Sequence, residues 1–254
     1  MRRHRARYFR VLNDGFPAKY GRAIARVADA AVGAYRSVLK LDIPSFYCNE
    51  RIRICLRLDP SIRHPRLFFQ PALLPSINYC VGDVRSLRSP VVGGPHHVYG
   101  ICHELGHLAL FMVSESSSEV DSGVSEAVAD FLASSILRRL GRTLGTNAWP
   151  DAYEYWKVDG IPDFAAIISG HRRISIPRSK DAFEAARWLF LRVAARYGVG
   201  AVARAIRGTR KEGRCVFLGS FKAFRIGDFW NALGRETSTR WLTRHLRVGR
   251  LIHG

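Results

Sequence analysis

An α+β fold is what this sequence predicts: a mixed N-terminal lobe with a small sheet, then a helical C-terminal lobe, with one polar-faced helix between them. Three observations point there. Strict two-residue alternation of apolar side chains occurs at "RIRICLRL" (51–58), in the first quarter of the chain. Helical periodicity accounts for nearly everything after residue 95. The 254 residues are enough to bury a sizeable core as one unit with two lobes. Strand signals followed by a run of helices are the α+β pattern.

The elements follow in order. Residues 1–15, "MRRHRARYFRVLNDG", read as a basic N-terminal segment, and 16–95 as the α/β lobe. Residues 17–40 predict a helix, with Ile24, Val27, Ala28, Ala31, Tyr35, Val38 and Leu39 at helical spacing. The strand at 51–58 puts Ile52, Ile54, Leu56 and Leu58 on its buried face and Arg51, Arg53, Cys55 and Arg57 on the other. "LFF" (67–69) and "SINYCV" (76–81) are shorter strands, and "SPVVGGPHH" (89–97) is the loop that closes the lobe. Residues 96–254 then carry helices at 96–113, 123–140, 181–197, 199–207 and 227–248.

Charge sets this chain apart. Forty Lys and Arg, mostly Arg, stand against 21 Asp and Glu, a net charge of +19. Such a balance favours polyanionic partners such as nucleic acid, or anionic membrane surfaces, beside the plainer reading of cations spread over a solvated surface. The N-terminus is basic without an apolar run behind it, and no stretch of about 18 apolar residues occurs. Neither a secretory signal nor a membrane span is therefore expected, and a cytoplasmic setting is. Cys48, Cys55, Cys80, Cys102 and Cys215 are widely spaced, odd in number and free of C-x-x-C, which suits reduced thiols better than a disulfide framework.

The chemistry concentrates at "ICHELGHLALF" (101–111). On a helix, Ile101, Leu105, Leu108 and Met112 form a core stripe, while His103 and His107 sit one turn apart on the opposite side. Imidazoles at i and i+4 can share one cation, and Glu104 at the edge of that face can reach a metal-bound water without ligating the metal. Gly106 costs about 1 kcal/mol in a helix interior relative to Ala, so its presence suggests a close approach by another backbone or a ligand. A catalytic zinc needs a third protein ligand. The longer form H-E-x-x-H-x-x-G-x-x-H would place Gly and His where this chain has Leu110 and Val113. A Glu on the next helix is the other option. "SGVSEAVADFLA" (122–133) supplies Glu126, with Asp130 one turn later to accept a hydrogen bond from a ligand imidazole, and with Ala129 and Ala133 small enough for close packing. Eighteen residues separate His107 from Glu126, room for a loop and an antiparallel return. Between Arg88 and Arg138 there is no Lys or Arg, whereas Glu104, Glu115, Glu119, Asp121, Glu126 and Asp130 all fall there. In a chain of this charge, that window is where a dication is tolerated, and one Zn2+ per chain is the expected cofactor.

H-E-L-G-H followed by S-G-V-S-E-A-V-A-D resembles the gluzincin metallopeptidases, the thermolysin-like and peptidase-MA-like domains that combine H-E-x-x-H with a downstream E-x-x-x-D. Residues 34–56, 186–208 and 228–246 are similar to the opening and the helical end of those domains. The resemblance implies a zincin-like fold, His103, His107 and Glu126 as metal ligands, Glu104 as general base and Asp130 behind the ligands. It also implies an edge strand, within 76–84, for an extended peptide to pair against. Where that pattern expects Tyr ahead of "ARYG", this chain has Phe183, so Tyr153, Tyr155 or His171 would have to stabilise the oxyanion; Tyr197, before Gly198, reads as structural. His96 shares the face of His103 and His107 but reads as part of a helix start after Gly-Gly-Pro.

The expected function is zinc-dependent hydrolysis of peptide bonds, with Glu104 moving the proton and with a preference for basic peptides suggested by the acidic window. Two alternatives stay open. "HELGHLAL" with E-x-x-A-D also looks like zincins that cleave repressors or DNA-bound proteins, which the positive charge would suit. The other is a non-catalytic binding protein holding a zinc ion.

Overall fold

A computed structural model describes residues 2–5, 7–46, 51–61, 66–70, 76–81, 95–113, 119–145, 182–218, 221–248 and 251. The architecture is α+β, with a five-stranded sheet in the N-terminal part and helices around a small second sheet in the C-terminal part.

The first strands lie where the sequence suggested only a basic segment. Arg2–Arg5 (β1) pairs antiparallel with Phe9–Asp14 (β2). In β2 the alternation is short but clean, with Phe9, Val11 and Asn13 buried and Arg10 and Asp14 exposed. Asn13 closes the turn that follows: its Oδ1 accepts from the Phe16 amide at 3.0 Å and its Nδ2 donates to the Phe16 carbonyl at 3.1 Å. Gly15 sits at φ +89° with Leu58 where a Cβ would be, so both its backbone and its space exclude a side chain.

Helix α1, Ala18–Ala34, starts behind Pro17 and buries Ile24, Val27, Ala28 and Ala31 as its periodicity predicts. It then widens into a π-turn over Tyr35–Leu39 that ends at Lys40 in the left-handed region. The i→i+5 turn shifts the helical phase, so Val38, expected on the buried stripe, is 39% exposed while Tyr35 and Leu39 stay inside. Tyr35 donates a hydrogen bond at 2.8 Å to the carbonyl of Cys102, linking this turn to the helix that carries the H-E-x-x-H motif.

After α1 the chain returns as Ile52–Leu58 (β3), parallel to β2, with Ile52, Ile54 and Leu56 buried. Arg66–Gln70 (β4) and Ser76–Val81 (β5) complete the order β1-β2-β3-β5-β4. This corrects one expectation. Ser76–Val81 is flanked on both sides, parallel to β3 and antiparallel to β4, so it has no free edge. Among the described strands the edges are β1 and β4, and β4 packs along helix α2, Pro95–Ala109.

Helix α3, Glu119–Leu144, packs against both α2 and helix α4, Ala182–Tyr197. It begins four residues before the expected position, inside the acidic stretch. Helix α5, Gly200–Glu212, then leads into strands missing from the sequence-based reading. Met112–Val113 (β6), Cys215–Leu218 (β7) and Phe221–Arg225 (β8) form a sheet of order β6-β8-β7. The expected helix at 227–248 is two, Ile226–Glu236 (α6) and Thr239–Val248 (α7). Thr237, at φ −124° and ψ −106°, breaks it and turns its hydroxyl back to the Leu233 carbonyl.

Phe131, Phe190, Phe229 and Trp230 join α3, α4 and α6 in one aromatic core, with Phe190 and Trp230 stacked at 6.2 Å. No described helix is long and apolar enough to cross a membrane.

Candidate metal centre

Helix α2 is buried on both sides rather than amphipathic, with Val98, Ile101, Cys102, Leu105, Leu108 and Ala109 almost wholly inside. Burial reaches the polar face as well: Glu104 and His107 are 6% and 8% exposed. Helix α3 covers that face, and Gly106 is the reason it can come so close. A Cβ on Gly106 would lie 2.8 Å from the Ala129 Cα and 2.9 Å from the Ala129 carbonyl oxygen. The close backbone approach expected from a mid-helix glycine is therefore present, and its partner is α3.

This contact brings three donors together. His103 Nε2 lies 3.1 Å from His107 Nε2 and 3.0 Å from Glu126 Oε2, and His107 Nε2 lies 3.3 Å from Glu126 Oε1. Ligands held tetrahedrally at 2.0–2.1 Å from a zinc ion stand about 3.3–3.4 Å apart, so the spacing fits such an ion with slight expansion. The donor set fits too: two imidazoles and one carboxylate leave a fourth position open. The histidine side chains are 15% and 10% exposed and that of Glu126 is 49% exposed, so the group opens to solvent on the Glu126 side.

The ring nitrogens facing away are also engaged. His103 Nδ1 is 2.8 Å from Asp130 Oδ1, and His107 Nδ1 is 3.4 Å from Ser125 Oγ. With Nδ1 donating to Asp130, Nε2 of His103 is left as the lone-pair atom at the centre, which is the tautomer a metal needs. Asp130 is itself bracketed. Tyr99 donates to the same Oδ1 at 2.5 Å, and the guanidinium of Arg187, on α4, lies 3.8 Å from Oδ2. Burial first, then the charge of Asp130, pushes the Tyr99 phenol well up, so it remains a proton donor.

Electrostatics report how strongly the group wants a cation. Burial disfavours a charged His103, yet hydrogen bonds with Asp130 and Glu126 and the fields of Asp130 and Glu104 outweigh it and push the imidazole up to about 10. Burial acts against the Glu126 carboxylate as well, but His103 and His107 hold its pKa well below the usual range. Both shifts favour a positive charge at the centre of the group.

His103, His107, Glu126 and Asp130 thus lie together, with Glu104 next to His103 in sequence and within reach of its field. Tyr153, Tyr155 and His171 lie outside the described residues, and for His96 only the helical backbone is described. Phe183 lies under the guanidinium of Arg187, 5.1 Å away. Tyr197 is structural, packed edge-on against Trp241 beside Gly198 at φ +80°. Two residues escaped the sequence reading. Tyr99 carried a signal, one turn before His103 and two before His107. Arg187 carried none, because a cation amid "EAARWLFL" gives no hint of which helix it will face. The chain matches no protein-family model and no curated protein sequence.

Proposed function

We propose that this chain is a zinc-dependent metallopeptidase with a zincin-like arrangement. The observation that carries the reading is the convergence of His103, His107 and Glu126 at tetrahedral spacing, with the buried Glu104 beside them. A site that only held the fold together would close with a fourth protein ligand and would have no use for that carboxylate. The antiparallel strand β4, at an edge of the sheet among the described residues and packed along α2, supports the arrangement, since a strand edge can offer a peptide main-chain hydrogen bonds.

When bound, a zinc ion supplies Lewis acidity and brings the ionisation of water toward neutral pH. The chain's own residues do the rest. Glu104 accepts a proton from the attacking water and returns it to the leaving nitrogen. Asp130, Tyr99 and Arg187 hold His103 in one tautomer and orientation. The acidic window between Arg88 and Arg138, with Glu126 at the opening, would favour basic peptides, and the thiols of Cys55, Cys102 and Cys215 suit a reducing cytoplasm.

The test has two arms. Metal analysis of wild type and Glu126→Ala should find about one zinc per chain, lost or sharply weakened in the variant. Glu104→Gln should retain zinc and lose hydrolysis of a peptide library by about 100-fold or more. Unchanged zinc in Glu126→Ala would remove the ligand set, and full activity in Glu104→Gln would remove the mechanism.

A further inference from the structure

The arginines of the C-terminal helices fall into two groups. Those on α5 are committed internally: Arg204 pairs with Glu236 at 2.5 Å, Arg207 donates to the Leu39 carbonyl at 2.8 Å and Arg210 to the Ala109 carbonyl at 3.2 Å. The second group gathers where the end of α4 meets α7. There Tyr197 packs edge-on against Trp241 at 5.5 Å, Trp241 lies over His245 at 4.1 Å, and the Arg196 guanidinium sits over the Tyr197 ring. Arg192, Arg196 and Arg244 all surround His245 closely enough that, after burial, their fields push its pKa down.

Helix α7 extends the cluster. Leu242 and Leu246 face the core, while Arg240, Arg244 and Arg247 recur at i, i+4 and i+7 and are exposed. No Asp or Glu occurs in residues 185–211 or 237–254. None of Arg192, Arg196, Arg240, Arg244 and Arg247 forms an ion pair among the described residues. A general excess of solvated cations would leave these arginines mixed with carboxylates, and those of α5 are tied to Glu236 and to main-chain carbonyls. Here like charges are held together on two helices that meet at Tyr197 and Trp241, an arrangement that repels itself until a polyanion arrives.

We infer that the α4–α7 face is a docking surface for nucleic acid, with Arg240, Arg244 and Arg247 contacting successive phosphates and Arg192 and Arg196 flanking them. A row of guanidinium groups along a rigid helix suits a polymer of regularly spaced phosphates. An anionic membrane fits less well, because Val248 is the only exposed large apolar residue on α7 and a membrane-lying helix needs an apolar face to insert. The surface is separate from the metal centre: Arg187 and Arg196 lie nine residues apart on α4, about 13 Å along its axis. The inference therefore stands without the peptidase reading.

Fluorescence anisotropy of the full chain with a labelled DNA of about 20 nucleotides, single-stranded and duplex, tests it between about 50 and 200 mM salt. The variant reverses Arg240, Arg244 and Arg247 to Glu. A control of equal charge change reverses Arg138, Arg139 and Arg142, exposed at the end of α3. The docking variant should bind about tenfold more weakly or worse, with the slope of log affinity against log salt reduced by about 2 to 3. The control should stay within about threefold of wild type, and a glutamine triple carries the same test if charge reversal unfolds α7. Equal losses in both variants, or no binding by wild type at the lowest salt, would overturn the proposal. So would tight binding to phosphatidylserine vesicles that DNA does not compete away.

Discussion

Replacing Gly106 by Ala isolates the contact on which the whole centre depends. Two effects oppose each other. Ala is the better helix former by about 1 kcal/mol, so an unhindered site would be stabilised. But the new methyl would lie 2.8 Å from the Ala129 Cα and 2.9 Å from its carbonyl oxygen, and both are backbone atoms that cannot rotate aside. Ordinary contact begins near 3.4 Å, so α2 and α3 must separate locally by about 0.6 Å. Overpacking of this kind costs about 1–3 kcal/mol, which leaves a net loss of roughly 0–2 kcal/mol after the propensity gain and a melting temperature lower by up to about 8 °C. The larger effect falls on the metal. His103 and His107 are on one helix and Glu126 is on the other, and a metal site tolerates only about 0.2 Å of error in ligand distance. Zinc affinity should therefore fall by about 10- to 100-fold, measured by competition with a chromophoric chelator, while thermal melts with and without metal report stability. A variant that melts higher than wild type and binds zinc equally well would show that α2 and α3 are not held at this distance.

Tyr99→Phe removes one hydrogen bond to Asp130 but keeps the buried ring, so zinc affinity should fall about 3- to 10-fold with little change in metal-free stability. An unchanged affinity in the same chelator competition would mean that Tyr99 does not help to position His103. Metal loading should also release a proton. His103 is pushed up to about 10, so below that pH its proton competes with the metal, and affinity should rise by about one decade per pH unit between about pH 7 and 9. Calorimetry in buffers of different ionisation enthalpy reads the proton count directly; no release at about pH 7.5 would show that His103 is already neutral. The sign for the metal-free protein is the opposite: the stabilisation from the His103 proton is complete below about pH 6.5 and is lost as pH rises toward 10.

Local patterns determined much of this protein. The i, i+4 spacing set His103 and His107 on one helix, the glycine at 106 announced a close neighbour, and Glu126 and Asp130 shared a face one turn apart. Each of these depends on residues within a few turns of one another, where helical geometry dictates the outcome. Some local signals were present but weak. Cys215–Leu218 and Phe221–Arg225 are two short apolar runs separated by Gly-Ser, a hairpin pattern outweighed by the helices around it. In Phe9–Asp14 the alternation is masked by the arginines before it.

Other features had no local cause. Val38 left the core because a π-turn changed the phase of α1, and Ser76–Val81 lost its edge because Arg66–Gln70 folded back beside it. Arg187 reached Asp130 only because α4 packs on α3, and Arg192 and Arg196 met the distant arginines of α7 around His245 because Tyr197 docks on Trp241. Periodicity states which face of an element is apolar, but not which other element will cover it. That choice is made by shape and packing among all the elements at once. The candidate ligands His103, His107 and Glu126, with Asp130 behind them, could therefore be named from the sequence, whereas Tyr99 and Arg187, which bracket Asp130, came only from the tertiary structure.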